Sequence, residues 1–248
     1  MGREKFTEIP MRTWNWLGVN EVITGVEAEV KTLSIAANEI RKLNQINLSK
    51  ENSAKKLHIK VETNAQLELT VVDLAESDSA SEIIIDLDGD DSKVDIAAVY
   101  FGGASNKLDL NYVVHQKGKR TEANMFVSGA LSDSCDKIFR GTLDFVRGSK
   151  GSVGREREDV IVLSDTVRNR SVPLMLSAED EVDGHHAVSV GRIDEEKLFY
   201  LMSRGLDRVE AEKLIVEAMF NPVLARLEDT TLRDEIHEAI QRRLGGVK

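Results

Sequence analysis

Short apolar runs separated by turn-forming residues recur along most of the chain. In several runs every second residue is apolar, as in Leu57, Ile59 and Val61, and this alternation is typical of β-strands with one buried face. The runs occupy residues 30–35, 57–61, 67–72, 83–87, 94–99, 108–114, 123–127, 142–146, 160–163 and 172–176, with turn formers such as DLDGDDS (86–92) between them. The pattern predicts ten or more short strands in one uninterrupted β region.

Two all-β architectures are compatible with this pattern. One is an antiparallel sandwich or jelly roll, and the other is a parallel β-helix whose turns stack as a solenoid. The spacing between the runs is irregular, and no short β-helix repeat is visible. Periodicity by itself therefore leaves both architectures open.

After Arg192 the apolar spacing changes to that of helices. Asp194 is the predicted N-cap of a helix that begins at Glu195, whose acidic first turn suits the helix dipole, and Gly205 is expected to end it. The apolar side of this helix is formed by Leu198, Phe199, Leu201 and Met202.

A second helix is predicted to begin after Asp207, because Glu210 three residues later completes a capping-box pattern. Its apolar face follows the spacing i, i+3, i+4, i+7, i+8. Asn221-Pro222 is expected to stop this helix, and a third short helix is expected from Pro222. A last helix is predicted over about residues 232–244.

These elements predict three parts of the chain. Residues 1–27 form an N-terminal segment anchored by Trp14 and Trp16, residues 28–192 form the β domain, and residues 193–248 form a small helical domain. The helical part has more apolar positions than one small bundle hides. Packing against the end of the β region is the favoured explanation, and a docking site for another protein is the alternative.

Composition narrows the function classes. The 248 residues are 41% hydrophobic and 31% charged, as in soluble globular proteins. A net charge of −10 gives no electrostatic reason to bind nucleic acid or an anionic membrane. The single cysteine, Cys135, excludes an internal disulfide and favours a reducing cytoplasm. No long apolar run or signal-peptide core is found, so no membrane segment is expected.

The adjacent histidines His185 and His186 suggest a metal site at first. Consecutive side chains of a strand point to opposite faces, so the two cannot easily bind one ion together. No His-x-His or Glu-x-x-His motif is present. A structural or interface histidine is therefore favoured over a metal ligand provided by this chain alone.

No catalytic constellation is found elsewhere. Asp133 and Asp136 flank Cys135, and their negative charge disfavours the thiolate that a nucleophile requires. The glycines of GSKGSVG (148–154) lack the GK[ST] of a phosphate loop, and no nucleophile elbow occurs. We expect no catalytic residue in this chain.

From about Val160 onward the chain resembles the SufB/SufD family of iron–sulfur cluster assembly proteins. The resemblance rests on VIVLSD (160–165), PLMLSAEDEV (173–182), HAVSVGRIDEE (186–196) and LFYLMSRGL (198–206), and extends more weakly through KIFRGTLDFVRGS (137–149). It implies a mainly β fold, namely a right-handed parallel β-helix followed by a C-terminal helical domain.

The resemblance also implies partners. Family members form a scaffold with the ABC-type ATPase SufC, which docks on the C-terminal helices, and two SufB/SufD-type chains pair through their β-helices around a nascent cluster. The docking residues implied here are Leu198, Phe199, Tyr200, Leu201, Arg204 and Gly205.

His186 matches the family histidine at the junction between the two chains, and His185 stands at a position that varies. SufB members carry an essential cysteine where this chain has Glu158, and a glutamate where it has Ala187. Both departures make the chain SufD-like. Without a cysteine thiolate it is not expected to hold a cluster by itself. For Glu158, a solvated carboxylate is favoured over an oxygen ligand for iron.

The resulting hypothesis is a non-catalytic scaffold subunit of a SufBCD-like complex, with no stably bound cofactor and only a transient Fe–S cluster. Its partners are a SufC-type ATPase and a SufB/SufD-type chain. One alternative is a homodimeric scaffold of a minimal system, since the chain is shorter than most members. A second is a cupin-like metal-dependent enzyme that uses His185 or His186.

Overall fold

The computed structural model describes Val19 and residues 27–245. The predicted anchor at Trp14 and Trp16 lies outside the described residues. Twelve strands follow one another between residues 29 and 191. They are β1 Glu29–Ile35, β2 Ile40–Asn47, β3 Ser53–Val61, β4 Gln66–Asp73, β5 Ser79–Leu87, β6 Lys93–Gly102, β7 Lys107–Gln116, β8 Glu122–Leu131, β9 Asp136–Phe145, β10 Val153–Val162, β11 Arg168–Ser177 and β12 Asp183–Gly191.

The strands alternate between two parallel six-stranded sheets. Sheet 1 has the order β1-β3-β5-β7-β9-β11, and sheet 2 has the order β2-β4-β6-β8-β10-β12. Each strand pairs with the strand two positions later in the chain, so two strands make one turn of a solenoid. The prediction of a parallel β-helix is confirmed, and the sandwich alternative is wrong.

The length of one turn changes along the solenoid. In the first turn of sheet 1, Glu29 lies opposite Lys55, 26 positions further on. In the last turn, Asp136 lies opposite Arg168, 32 positions further on. Because the repeat lengthens along the chain, no fixed period is visible in the sequence.

The solenoid interior is filled by the inward-facing residues of both sheets. Ile59, Leu69, Ile85 and Val114 are fully buried there, as the period-two alternation predicts. Two strands are absent from the ten apolar runs, namely β2 and β12, because each carries few apolar residues. Pro173 lies in β11, where the strand has a neighbour on one side only.

Three helices follow the last strand: α1 Glu195–Ser203, α2 Arg208–Leu224 and α3 Thr230–Gly245. The Asp194 side chain caps α1 by accepting a hydrogen bond from the Glu196 N–H at 2.9 Å, and Asp207 and Glu210 form the expected capping box. The predicted stop at Pro222 is wrong. Proline lies in the last turn of α2, where the helix needs to continue for only two more residues.

Helices α2 and α3 pack on the side of the solenoid, on the outward face of sheet 2. Phe220 and Ile240 are fully buried there against Val99 and Phe101. Arg243 strengthens this contact, because its guanidinium donates to the Phe101 carbonyl at 3.2 Å and lies 4.9 Å from the Phe101 ring centroid. The expectation that the helices cover the end of the β region is therefore wrong, and these helices leave that end open.

Candidate functional site at the open end of the solenoid

The solenoid ends in two edge strands, β11 and β12, which we call the open end. Within residues 27–245, β11 pairs only with β9, and β12 pairs only with β10. No residue of β12 is buried, and Val188 and Val190 expose 38% and 48% of their surface. An edge strand presents unpaired backbone N–H and C=O groups, which makes it a template for a further strand.

His186 lies on the inward-facing side of β12. It stands opposite Glu156 of β10, two positions after Gly184 and two before Val188. His185 points to the outer side, where its Nε2 lies 2.9 Å from the Asp183 carboxylate. The two histidines therefore lie on opposite faces of the strand, and only His186 borders the solenoid interior.

Glu158 is fully buried inside the penultimate turn. Its Oε1 accepts hydrogen bonds from Lys137 Nζ at 2.5 Å and from the Tyr100 hydroxyl at 2.8 Å. The expectation of a solvated carboxylate is wrong. Glu158 shares the inward phase of β10 with Val160, and Lys137 approaches it across the interior from sheet 1.

Lys137 is also fully buried. Its Nζ lies 5.3 Å from the centroid of the Tyr100 ring and 5.6 Å from that of Phe139, and donates a hydrogen bond to Ser171 Oγ at 3.0 Å. Burial lowers the pKa of Lys137, and the Glu158 carboxylate opposes this shift. Because Ser171 belongs to β11, Lys137 connects the penultimate turn to the open end.

Glu156 is a site residue that sequence reasoning missed. Its surface is 3% exposed, and neither carboxylate oxygen has a hydrogen-bond partner among the described residues. Burial, together with the nearby charge of Glu158, raises the pKa of Glu156 to about 8. The sequence did contain a signal for Glu156, because Glu156 and Glu158 alternate along one strand at inward positions, where apolar residues are the rule.

Gly141 provides the space for this carboxyl group. A Cβ atom at Gly141 would lie 1.9 Å from Glu156 Oε1 and 3.1 Å from the Phe139 ring. The glycine therefore permits a glutamate in the solenoid interior at this level.

Among residues 27–245 and Val19, no group of three or more His, Cys, Asp or Glu side chains has the geometry of a metal site. Cys135 is buried, and burial raises the pKa of its thiol to about 11, so it is a poor nucleophile and metal ligand at neutral pH. The flanking aspartates contribute less to this shift than burial does. His58 and His115 pair with Asp86 and Asp144 on the outer face of sheet 1, at 2.7 and 2.8 Å.

The expected docking helix α1 presents a partly exposed apolar surface. Phe199 and Tyr200 are 75% and 57% exposed, and the Arg204 guanidinium lies 5.3 Å from the Tyr200 ring centroid. Leu198 is only 1% exposed, so it supports this surface without forming part of it. Gly205 adopts a φ of +102° and ends the helix, as predicted.

Further apolar residues of α1 and α2 are also partly exposed. These residues are Leu201, Met202, Val209 and Leu214. We use the name "α1 surface" for Phe199, Tyr200, Arg204 and these four residues.

Two general findings bear on function. All sheet pairings in the described chain are parallel, which contradicts the cupin-like alternative, because cupins are antiparallel jelly rolls. Of the helices in residues 195–245, none has the length and apolar character needed to cross a membrane.

Comparison with known proteins gives a consistent result. A family model described as the SufBD core domain of SUF-system FeS cluster assembly matches residues 12–219. The iron–sulfur cluster assembly protein SufD of Bacillus subtilis is 30% identical over 169 residues, which are 68% of this chain and 39% of that protein. An iron–sulfur cluster assembly SufBD family protein of Pyrococcus horikoshii is 32% identical over 136 residues, 55% of this chain and 30% of the relative. The chain thus spans two fifths or less of the length of these relatives.

Proposed function

The chain belongs to the SufBD family of iron–sulfur cluster assembly proteins, and on that premise we propose that it is a non-catalytic scaffold subunit that provides half of a cluster assembly site. The observation that carries the proposal is the exposed strand β12, which lies at the edge of the sheet formed by the described residues and has His186 on its inward side. The other half of the site comes from a second SufB/SufD-type chain, and the energy comes from a SufC-type ATPase.

Pairing occurs at the open end. β12 offers an unpaired strand edge, and Val188 and Val190 extend the apolar interior into solvent. A second solenoid end that covers them would remove apolar surface from water and satisfy the backbone groups of the edge. The partner is a paralogue or, in a minimal system, a second copy of this chain.

The half-site contributes an imidazole from His186 and no thiolate. Glu158 stands where SufB-like chains carry cysteine, and it is engaged by Lys137 and Tyr100. The thiolates and sulfide of a cluster therefore come from the partner. The isolated chain holds no stable cofactor, and the cluster is a transient substrate of the complex.

The α1 surface is the proposed contact for the ATPase. An exposed aromatic pair beside an arginine is typical of residues that contribute much of the binding energy at protein interfaces. Neither nucleic acid nor a membrane is a proposed partner, because the net charge of −10 disfavours both. The proposed compartment is the reducing cytoplasm, in which thiol and sulfide chemistry proceeds.

Anaerobic co-purification with a SufC-type ATPase and SufB/SufD-type chains tests the ATPase contact. Phe199→Asp and Arg204→Glu are expected to weaken ATPase binding at least tenfold. Ile40→Asp is the matched control, because Ile40 is 66% exposed but lies at the other end of the solenoid. The proposal fails if the intact chain does not bind the ATPase under conditions in which an authentic SufC partner does.

The pairing is tested by the mass of the complex in solution. Val188→Asp at the open end is expected to abolish pairing, whereas Val30→Asp, exposed on β1 at the opposite end, leaves it intact. The mass of the purified chain alone distinguishes a homodimer from a subunit that requires a paralogue. Iron and sulfide, quantified per complex, are expected only in the paired form.

A further inference from the structure

The two edge strands of the open end differ in how far they are covered. No residue of β12 is buried, whereas Val172 and Leu174 of β11 are only 6% and 7% exposed. Both side chains lie on the outward face of sheet 1, because they alternate with Ser171, which contacts Lys137 inside the solenoid. Helices α2 and α3 pack on sheet 2 and do not cover this face. The outer side of β11 is therefore covered by a different part of the chain.

Val19 forms part of this cover. It is buried in an apolar cluster with Ile138 of β9 and with Val172 and Leu174 of β11. Val19 precedes β1 in the chain, and β1 belongs to the first turn, at the opposite end of the solenoid. A residue from before the first turn thus packs against the last two turns.

Arg140 holds the backbone of Val19. Its Nη1 donates a hydrogen bond to the Val19 carbonyl at 3.2 Å, between residues 121 positions apart. The guanidinium is buried, and its Nη2 pairs with the buried carboxylate of Asp109 on β7. Arg140 also stands opposite Val172 in the register of β9 and β11. Because the guanidinium is planar and fixed by a carboxylate, it is a preorganised donor that positions Val19 over β11.

A solenoid has few other ways to connect its two ends. Each turn contacts only its neighbours, so order in one turn has little direct effect on a distant turn. A strand at the end of such a stack frays unless a further contact holds it. Within the described residues, β11 has a neighbouring strand on one side only. The contact with Val19 is a tertiary connection that opposes this fraying.

We propose that Val19 and Arg140 form a clasp that keeps β11 ordered, so that the open end meets its partner as a preorganised surface. Ordering the strand before association lowers the entropy cost of binding and so strengthens pairing. This inference rests on the proposed pairing function and adds a conformational control to it. Opening the clasp weakens pairing without any change in β12.

The test is amide hydrogen exchange of the full unpaired chain, followed by measurement of pairing. Val19→Asp places a carboxylate among apolar side chains and is expected to raise exchange in β11 at least tenfold, while exchange in β5, in the middle of the solenoid, stays as in the wild type. Arg140→Met combined with Asp109→Asn removes the donor and its counter-ion together, and the same local effect is expected. Both variants are expected to weaken pairing at least fivefold.

Two matched controls are expected to show wild-type exchange in β11 and wild-type pairing. Val30→Asp makes the same change of residue type at an exposed position of β1. Arg120→Met combined with Asp91→Asn removes an arginine–aspartate pair that is exposed on the loops.

The outcomes separate the clasp from the pairing function. Wild-type exchange of β11 in Val19→Asp overturns the clasp, and raised exchange with unchanged pairing overturns its link to pairing. A wild-type chain that never pairs refutes the proposed pairing, while raised exchange of β11 in its variants still supports the clasp. If Val19→Asp unfolds the whole chain, exchange rises in β5 as well. Val19→Ala then decides, because a rise confined to β11 supports the clasp and wild-type exchange there overturns it.

Discussion

Replacing Lys137 with methionine is expected to lower the free energy of unfolding by about 3–5 kcal/mol at pH 7, because Glu158 is left as an unpaired charge in a dry interior. Lys137 and Glu158 are both 0% exposed, and the 2.5 Å contact between them is shorter than the hydrogen bonds of Glu158 with Tyr100 and of Lys137 with Ser171. Methionine retains the apolar stem, so the loss reports the charge and not a cavity. The total free energy of unfolding of a domain is about 5–15 kcal/mol, so the expected loss is a large fraction of it.

A double-mutant cycle separates the pair from its surroundings. Lys137→Met combined with Glu158→Gln removes both charges and is expected to recover at least about 2 kcal/mol of the loss, since a neutral amide still accepts a hydrogen bond from Tyr100. Urea unfolding followed by circular dichroism measures the free energy of unfolding of the wild type, both single variants and the double variant. An unchanged m-value shows that the comparison is valid. Amide exchange in β11 is expected to rise, because Ser171 loses the Lys137 donor.

The matched control is Lys60→Met on the exposed outer side of β3, which is expected to change stability by less than about 0.5 kcal/mol. The reasoning is refuted if Lys137→Met costs less than about 1 kcal/mol. It is equally refuted if the effects of the two single substitutions simply add in the double variant.

Three further changes are expected to have measurable effects. Gly141→Ala is expected to cost about 1–3 kcal/mol in urea unfolding, because its Cβ would lie 1.9 Å from Glu156 Oε1, whereas Gly191→Ala, with nothing within 4 Å, is expected to be neutral. Burial raises the pKa of Glu156 from 4.5 to about 8, so the folded state binds this proton more tightly and its stabilising contribution is complete below about pH 4.5 and lost as pH rises to about 8. Unfolding titrations across this window should therefore show the wild type losing about 1.4 kcal/mol per pH unit relative to Glu156→Gln, and parallel curves would contradict this. Asp207→Ala removes the capping box of α2 and is expected to lower the free energy of unfolding by about 1 kcal/mol, measured by thermal unfolding of the variant and the wild type.

Local features were readable from the sequence because they depend on neighbouring residues. The period-two alternation identified most strands, and Asp194, Asp207 and Gly205 marked the ends of helices correctly. The same local reading failed at Pro222, because a proline in the last turn of a helix disturbs too little to end it. It also omitted β2 and β12, which lie at the two ends of the solenoid and have little apolar surface to bury.

Periodicity could not decide between a sandwich and a solenoid, and the choice depended on the resemblance to a known family. Both folds bury alternate residues, and the drift of the turn length from 26 to 32 residues removes the repeat that would reveal a solenoid. Strand alternation also predicted that His185 and His186 face opposite sides of one strand, and the family resemblance pointed to His186 as the histidine of the junction.

Only the tertiary structure decided what lies beside His186. The Lys137–Glu158 pair joins residues 21 positions apart, and the position of Glu156 is in register with that of His186 in the next turn. Which residues become neighbours depends on the number of residues in each turn of the solenoid. That number is set by the loops between the strands and by the packing of the whole solenoid. The helices do not cover the end of the solenoid, because they pack on the apolar outward face of sheet 2. Sequence thus determined which residues face inward, and closure of the coil determined which of them meet.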